Sequence, residues 1–238
     1  MKIVTSEYSG PDSDGDINFD LRVAFENKSD HDIEMAKSSV LLINKDGVAI
    51  TGQQDSEEEM FIEPGETDEF DIWTPWVKSF DFSSDLTDVS AVIDASFYRC
   101  EFHKLGEFEI PDDHESPLLS EKNLDIGGMI KTSGLGIFME KPDEDGETRL
   151  EVRLGMRNVS EVHFEKVLLK AELVDKRGSE VDESTDYASA PAHSGRLLTA
   201  GMYSLKPSRL KGCSIKLSLS IFQPIANESV TGKISKAE

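Results

Sequence analysis

The most constraining feature of this sequence is an internal repeat. Residues 11–47 align with residues 142–178 without a gap, and eleven of the 37 aligned pairs are identical. Unrelated segments of average composition would share roughly two pairs. Residues 89–97 align with residues 213–221 at a shorter spacing, as expected if surface loops changed length while strands were kept. We therefore interpret the chain as the product of an internal duplication.

The repeated segments have the period of a β-strand. Apolar residues alternate with polar or small ones over 19–25, over the equivalent 150–156 and over 213–221. Successive side chains of a strand point to opposite faces, so this pattern predicts strands that bury one face only. Between strands, residues 44–47 and 175–178 each end in glycine, which is typical of a hairpin loop.

These signals predict an all-β chain of two tandem antiparallel β-sandwich domains. We assign the first domain to residues 1–113, a linker to residues 114–126 and the second domain, a repeat of the first, to residues 127–238. The linker is assigned because this part of the chain is rich in turn-forming residues. No run approaches the roughly 20 apolar residues of a membrane helix, so no membrane span is expected.

The order of signals in each repeat resembles that of immunoglobulin-like or fibronectin-like modules of bacterial proteins. The shared features are a strand, an Asn-x-Ser segment, a second strand and a hairpin that ends in glycine. A Pro-Gly-Glu turn follows at residues 64–66 of the first repeat, and residues 192–195 replace it in the second. The Cys–Trp–Cys framework of antibody domains is missing, so the resemblance concerns the fold. It implies an immunoglobulin-like sandwich that binds something, and it implies no particular activity.

Negative charge is concentrated in the first repeat. The net charge of the chain is −22, and residues 1–113 hold 28 acidic and 8 basic residues. Such a surface repels nucleic-acid phosphates, so direct binding of nucleic acid is not expected. The charge is explained either by solubility alone or by attraction of a basic protein partner.

Two groups of residues in the first domain are candidates for contact with that partner. Trp73 and Trp76 lie in one short segment, where a tryptophan can either fill a core or anchor an interface. The acidic candidates are Glu57, Glu58, Glu59, Glu66, Asp68 and Glu69.

Carboxylates recur at equivalent positions around a glycine in the two repeats. The two sets are Asp12, Asp14 and Asp16, and Asp143, Asp145 and Glu147. Alternating carboxylates around a turn can supply oxygen ligands to Ca²⁺, so all six are candidate metal ligands. The complete EF-hand pattern is absent, and an Asp-Gly turn before a strand explains the same residues.

Three Asn-x-Ser segments, at Asn27, Asn158 and Asn227, match the acceptor motif for glycosylation. Because Asn27 and Asn158 occupy equivalent places in the two repeats, we predict instead that the side chains of these two segments hydrogen-bond the backbone at strand ends. Cys100 and Cys213 give neither a disulfide framework nor four zinc ligands, and the first residues lack the apolar core of a signal peptide. A cytoplasmic location is therefore expected.

The sequence favours a non-enzymatic protein-binding or scaffolding function, in which the acidic first domain engages a basic partner. The alternative is a calcium-dependent structural or adhesive module. A hydrolase with dispersed carboxylates is the least favoured, because the histidines and serines form no recognisable catalytic set. No cofactor other than Ca²⁺ is expected, and the oligomeric state is left open.

Overall fold

The computed structural model describes residues 1–51, 53–74, 77–78, 88–111, 113–121 and 123–237. These residues form sixteen strands and one helix of four residues, which confirms the prediction of an all-β chain. The strands are β1 Lys2–Ser9, β2 Asp16–Glu26, β3 Ile33–Ile43, β4 Gln54–Ile62, β5 Thr67–Asp71, β6 Val77–Lys78, β7 Ser90–Glu109, β8 Leu118–Ser120, β9 Asp125–Ile126, β10 Ile130–Met139, β11 Thr148–Asn158, β12 Phe164–Val174, β13 Glu180–Ala190, β14 Gly195–Leu205, β15 Ser214–Lys233 and β16 Ser235–Lys236. Helix α1 spans Pro207–Leu210. Within the described ranges, no helix has the length and apolar character needed to cross a membrane.

The chain folds into two compact units. Unit 1 consists of Met1–Arg99 together with Pro224–Glu238, and unit 2 consists of Cys100–Gln223. Strands β7 and β15 therefore contribute one half to each unit. The first half of β7 and the second half of β15 belong to unit 1, and the remaining halves belong to unit 2.

This division differs from the predicted domains at both ends of the second domain. The predicted linker, residues 114–126, contains strands β8 and β9, and both pair with β10. Residues 224–238 lie in unit 1, whereas the sequence predicts that they complete the second domain. Turn-forming composition does not reveal these pairings, because short strands are held by backbone hydrogen bonds that almost any residue can make.

Unit 1 is a sandwich of two sheets. One sheet has the order β16-β1-β2-β5, with β6 also paired to β2, and the other has the order β4-β3-β7-β15. The core lies between them. Phe25 of β2 stacks on Phe97 of β7 with ring centroids 3.6 Å apart, and Phe70 of β5 meets Phe97 edge-on at 6.0 Å. These rings hold the sheets together, because β7 belongs to one sheet while β2 and β5 belong to the other.

Unit 2 is a second sandwich. Its sheets have the orders β14-β11-β10-β8, with β9 also paired to β10, and β13-β12-β15-β7. The predicted alternation is confirmed, since Leu150, Val152 and Leu154 of β11 are buried and face buried Leu217 and Leu219 of β15 across one core cluster. Each buried side chain of this size stabilises the fold by roughly 1.5–3 kcal/mol.

The two units correspond strand by strand. Strands β1, β2, β3, β4, β5 and β7 of the first part of the chain have the same neighbours as β10, β11, β12, β13, β14 and β15 of the second. Both β7 and β15 contain 20 residues. This is the order of strands that an internal duplication would produce.

Asn27 directly follows β2, and its side chain is buried. Its Nδ2 donates to the carbonyls of His31 at 2.8 Å and Ile62 at 2.9 Å, and its Oδ1 accepts from the backbone and hydroxyl of Ser29. The equivalent Asn158 bonds Val162, Ala190 and Ser160 in the same way. The prediction of backbone hydrogen bonds at both strand ends is confirmed.

Candidate functional site

The predicted acidic residues come together on one edge of unit 1. Strands β4 and β5 are the last strands of the two facing sheets, and the turn at residues 63–66 joins them. All six predicted carboxylates are exposed there. We call Glu57, Glu58, Glu59, Glu66, Asp68 and Glu69 the acidic edge.

The local sequence explains why β4 carries so many charges. Along this strand only Ile62 is fully buried, and its other residues are half-buried or exposed. An edge strand has one neighbour only, so charged side chains can remain in water on both of its faces. The apolar alternation that predicts a strand is therefore missing, although β4 pairs with β3 along most of its length.

The carboxylates of the acidic edge act on one another across the two strands. Partial loss of water around the Glu58 carboxyl raises its pKa, and the negative charges of Asp71 and Asp68 raise it further. Asp71 also accepts a hydrogen bond from Arg22 Nε at 2.7 Å, and this contact raises the pKa of Arg22. The edge therefore has a strong local negative field.

Most of this charge has no cation close to it. In the described part of the chain, no basic nitrogen lies within 4.0 Å of the carboxylates of Glu58, Glu59, Glu66, Asp68 or Glu69. Fixed carboxylates without a cation attract basic ligands from solution.

On the corresponding edge of unit 2, a lysine lies against two of the carboxylates. Lys170 of β12 contacts Glu172 at 3.0 Å and Glu183 of β13 at 2.7 Å, and these bonds raise its pKa. Asp186 of β13 accepts a hydrogen bond from the backbone of Thr199 on β14 at 2.5 Å. The acidic edge is therefore a feature of unit 1.

Trp73 lies on the surface beside the acidic edge, two residues after β5. Its side chain is 56% exposed, so Trp73 is a surface residue and not a core residue, and its role as an anchor stays a prediction. A shallow groove of about 410 Å³ is lined by Trp73, Phe19, Asp20 and Asp71, among others. Trp76 lies outside the described residues.

Asp71 was not identified from the sequence as a residue of this groove. It continues the every-second-residue spacing that begins with Glu69, so the spacing alone could have identified it. Asp20 and Phe19 could not have been found in this way, because the pairing of β2 with β5 is formed by residues about 50 positions apart.

The six candidate metal ligands lie in two equivalent turns. Asp12 Oδ1 accepts from the backbones of Asp14 and Asp16, both at 2.9 Å. The second turn repeats this arrangement, and Asp143 Oδ1 accepts from the backbones of Asp145 at 3.0 Å and Glu147 at 2.9 Å. Gly15 and Gly146 have positive φ angles of 79° and 72°. These are the bonds of an Asx turn, in which the first carboxylate is already occupied by backbone N–H groups.

Within the described ranges, neither turn brings three carboxylate oxygens within 4.8 Å of one another. Such a group does occur on unit 2, formed by Glu172, Glu180 and Glu183. Lys170 lies against two of its members, so the lysine ammonium already supplies the positive charge there.

In the part of the chain that the structure describes, the cysteines and histidines form no group of three or more potential metal ligands. Neither cysteine is in a disulfide. Burial raises the pKa of the Cys213 thiol, the charge of Asp175 raises it further, and the thiol donates to the carbonyl of Arg209 at 3.2 Å. A thiol with a raised pKa is a poor nucleophile at neutral pH. The five histidines each lie near a different carboxylate and are distributed over both units.

No family model and no curated protein matches this chain. Similar solved structures include red sea bream transglutaminase, with 9% identity and a TM-score of 0.24 over 100% of this chain and 32% of that one. A beta-glucuronidase from glycoside hydrolase family 2 has 12% identity and a TM-score of 0.29, over 96% of this chain and 25% of that one. The Bacteroides uniformis beta-glucuronidase has 11% identity and a TM-score of 0.31, over 91% of this chain and 26% of that one.

The chain thus spans about a third or less of each of these three proteins. Likenesses at these TM-scores assign neither an activity nor a family. The β-sandwich architecture rests on the strand order and the two cores described above.

Proposed function

We propose that this chain is a non-enzymatic protein-binding module whose acidic edge docks a basic protein partner. The observation that carries this proposal is the gathering of six exposed carboxylates on adjacent edge strands, five of them without a cation within reach in the described ranges. Long-range attraction of this kind speeds the encounter with a basic partner more than it strengthens the final complex.

In addition to charge, the groove beside Trp73 offers the partner an apolar contact surface. An exposed tryptophan next to Asp20 and Asp71 offers a flat apolar surface for the stem of a lysine or arginine side chain. The indole face also attracts the cationic head. The partner surface that fits is therefore rich in lysine or arginine.

The acidic edge also hinders self-pairing through β4. Two copies of β4 placed side by side would oppose carboxylates to carboxylates, which is destabilising. The edge is thus selective for a partner of opposite charge. Neither cysteine is in a disulfide, and we further propose a reducing, cytoplasmic location.

The test uses decalysine as a defined basic probe of the full-length chain, with binding followed by calorimetry. We expect the triple variant Glu57→Gln, Glu58→Gln, Glu59→Gln to bind about tenfold more weakly than the original chain. The matched control, Glu121→Gln, Glu144→Gln, Glu161→Gln, removes three exposed carboxylates from unit 2 and should change the affinity less than twofold.

The salt dependence and the role of Trp73 are measured in the same system. Binding should weaken steeply between about 0.05 and 0.3 M salt, because screening shortens the reach of the acidic edge. Trp73→Ala should weaken binding further without removing the salt dependence. Equal loss of affinity in the two triple variants would show that decalysine responds to net charge, and the proposal would then be abandoned.

A further inference from the structure

The outer face of the β14-β11-β10-β8 sheet of unit 2 carries positive charge. Its cations alternate with buried core residues along β10 and β11, and they are Lys131, Arg149, Arg153 and Arg157. We call these four residues the basic face. Glu151 lies between two of them and bonds Arg149 Nη2 at 2.9 Å and Arg153 Nε, and Glu140 lies 3.5 Å from Arg149 Nη1.

Aromatic rings hold the two arginines flat against the strands. The guanidinium carbon of Arg149 lies 4.6 Å from the centroid of the Tyr203 ring, and that of Arg153 lies 4.6 Å from the centroid of Phe138. Glycine makes room for this layer. A Cβ at Gly201 would lie 3.0 Å from Arg149 Nε. The basic face is therefore pre-organised, so little side-chain entropy remains to be lost on binding.

Large apolar side chains flank these cations. Leu119, Leu197 and Tyr203 are 69%, 62% and 61% exposed. Leu119 is paired with Gly136 of β10 and Leu197 with Gly155 of β11, so both project from the same outer face. Arginine, tyrosine and exposed leucine together are typical of the centre of a protein–protein interface.

The basic face contains a cross-strand pair of like charges, and Asp125 of β9 is the cross-strand neighbour of Lys131 on its other side. Lys131 and Arg157 are direct cross-strand partners, and both are exposed. In the described ranges, neither lies within 4.0 Å of a carboxylate. Like charges directly opposite on a sheet are destabilising, and an anionic ligand above them would relieve the repulsion.

Unit 1 carries a cross-strand pair of the opposite charge on its corresponding sheet. Strands β1 and β2 correspond to β10 and β11, and there Glu7 and Asp20 are direct cross-strand partners. Together with exposed Glu26 and Asp71 they form what we call the acidic face. Lys2 and Arg22 lie on the same face, Arg22 already bonds Asp71, and Lys28 lies 3.5 Å from Glu26.

We propose that the basic face of unit 2 docks onto the acidic face of unit 1 in a second copy of this chain. The two faces are outer surfaces of corresponding sheets, and a like-charged pair of one sign meets a like-charged pair of the other. At about 0.15 M salt the screening length is about 8 Å, so the net negative charge of the copies is largely screened while charges in contact are not. This contact does not rest on the acidic edge, because neither Glu7 nor Asp20 belongs to it.

Sedimentation velocity of the full-length chain over a range of concentrations at about 0.15 M salt tests the proposal. We expect a species of at least twice the monomer mass of 26.4 kDa. The variant Lys131→Glu, Arg157→Glu should weaken self-association by about tenfold or more, and so should Glu7→Lys, Asp20→Lys. An equimolar mixture of the two variants should associate again, because each reversed face meets its reversed counterpart.

The matched control, Arg177→Glu with Arg209→Glu, reverses two exposed arginines of unit 2 outside the basic face and should leave self-association unchanged. Far-UV circular dichroism confirms that every variant is folded. The proposal is overturned if the original chain remains at 26.4 kDa at all concentrations, or if the mixture of reversed variants fails to associate. A monomeric chain that binds a polyglutamate peptide through Lys131 and Arg157 would overturn the second copy in favour of a foreign acidic polypeptide.

Discussion

At the scale of single residues, the buried asparagine at the end of β2 does more than close a turn. The Asn27 side chain satisfies the carbonyl of Ile62, the last residue of β4, as well as groups within its own loop. It therefore ties a strand of one sheet to a strand of the other. Because Asn158 does the same in unit 2, this bond is part of how each sandwich closes.

We expect Asn27→Ala to lower the free energy of unfolding of unit 1 by about 3 kcal/mol. The substitution leaves buried carbonyl and N–H groups without partners, and each such group costs roughly 1–3 kcal/mol. Both tryptophans lie in the Met1–Arg99 segment of unit 1, so urea unfolding followed by tryptophan fluorescence reports on this unit. Asn18→Ala, at an exposed position of β2, should change the free energy by less than about 0.5 kcal/mol. Similar losses in both variants would contradict this role of Asn27.

At the scale of elements, the acidic edge stores electrostatic repulsion. Partial loss of water around its carboxyl raises the pKa of Glu58, and the nearby negative charges of Asp71 and Asp68 on β5 raise it further. This repulsion between carboxylates lowers the stability of the folded chain. A basic partner would remove the repulsion on binding, which links the cost to the proposed function.

The melting temperature of a Glu58→Gln variant, compared with that of the original chain at several pH values, measures this loss of stability. The pKa of Glu58 is higher in the folded chain than in the unfolded one, so the ionised carboxylate destabilises the fold at pH values above the raised pKa. Below about pH 4 the carboxyl is protonated in both states and the cost disappears. We therefore expect the variant to have a slightly higher melting temperature than the original chain at pH 7, and the difference to vanish as the pH falls towards 4.

Glu144→Gln, at an exposed glutamate of unit 2, is the control and should show no such trend. A lower melting temperature of Glu58→Gln at pH 7 would contradict the prediction. A difference that stays constant with pH would show that removal of the charge is not its cause.

At the scale of the whole molecule, unit 1 is assembled from two distant parts of the chain. The second half of β15 forms the edge of one of its sheets, and β16 pairs with β1. Ile234 is buried in its core, and Ile225 and Val230 pack against that core. The first repeat of the sequence consequently lacks part of the core and of the sheets of unit 1.

We expect residues 1–113 alone to lack a cooperative thermal transition. Residues 1–99 joined to 224–238 by a short glycine-containing turn should fold, because this chain contains all of unit 1. Such a turn can connect them, since the contacts Ser96–Asn227 and Glu107–Ser214 show that β7 and β15 run antiparallel. Near-UV circular dichroism during heating distinguishes the two fragments, and a scrambled 224–238 segment is the control. Cooperative unfolding of residues 1–113 would contradict the prediction.

The sequence predicted the elements far better than their assembly. The alternation of β2, β11 and β15, the glycine hairpins and the asparagine turns were all visible as local patterns. Strand β4 was not, because an exposed edge strand needs no apolar face. The sequence identified the acidic residues individually. It did not show that they share one edge, because that edge forms only where the two sheets of unit 1 face each other.

By itself, the sequence determined the class of fold, the repeated order of strands and the sign of the charge on the first repeat. These follow from the two-residue period of the strand, from the positive φ angles that glycine allows in turns, and from composition. Only the tertiary structure decided that β7 and β15 are shared between the units, and that the acidic edge, the acidic face and the basic face exist. The physical reason is that strand pairing uses backbone groups common to nearly all residues, so partners distant in the chain are selected by packing of the whole core and not by any local signal.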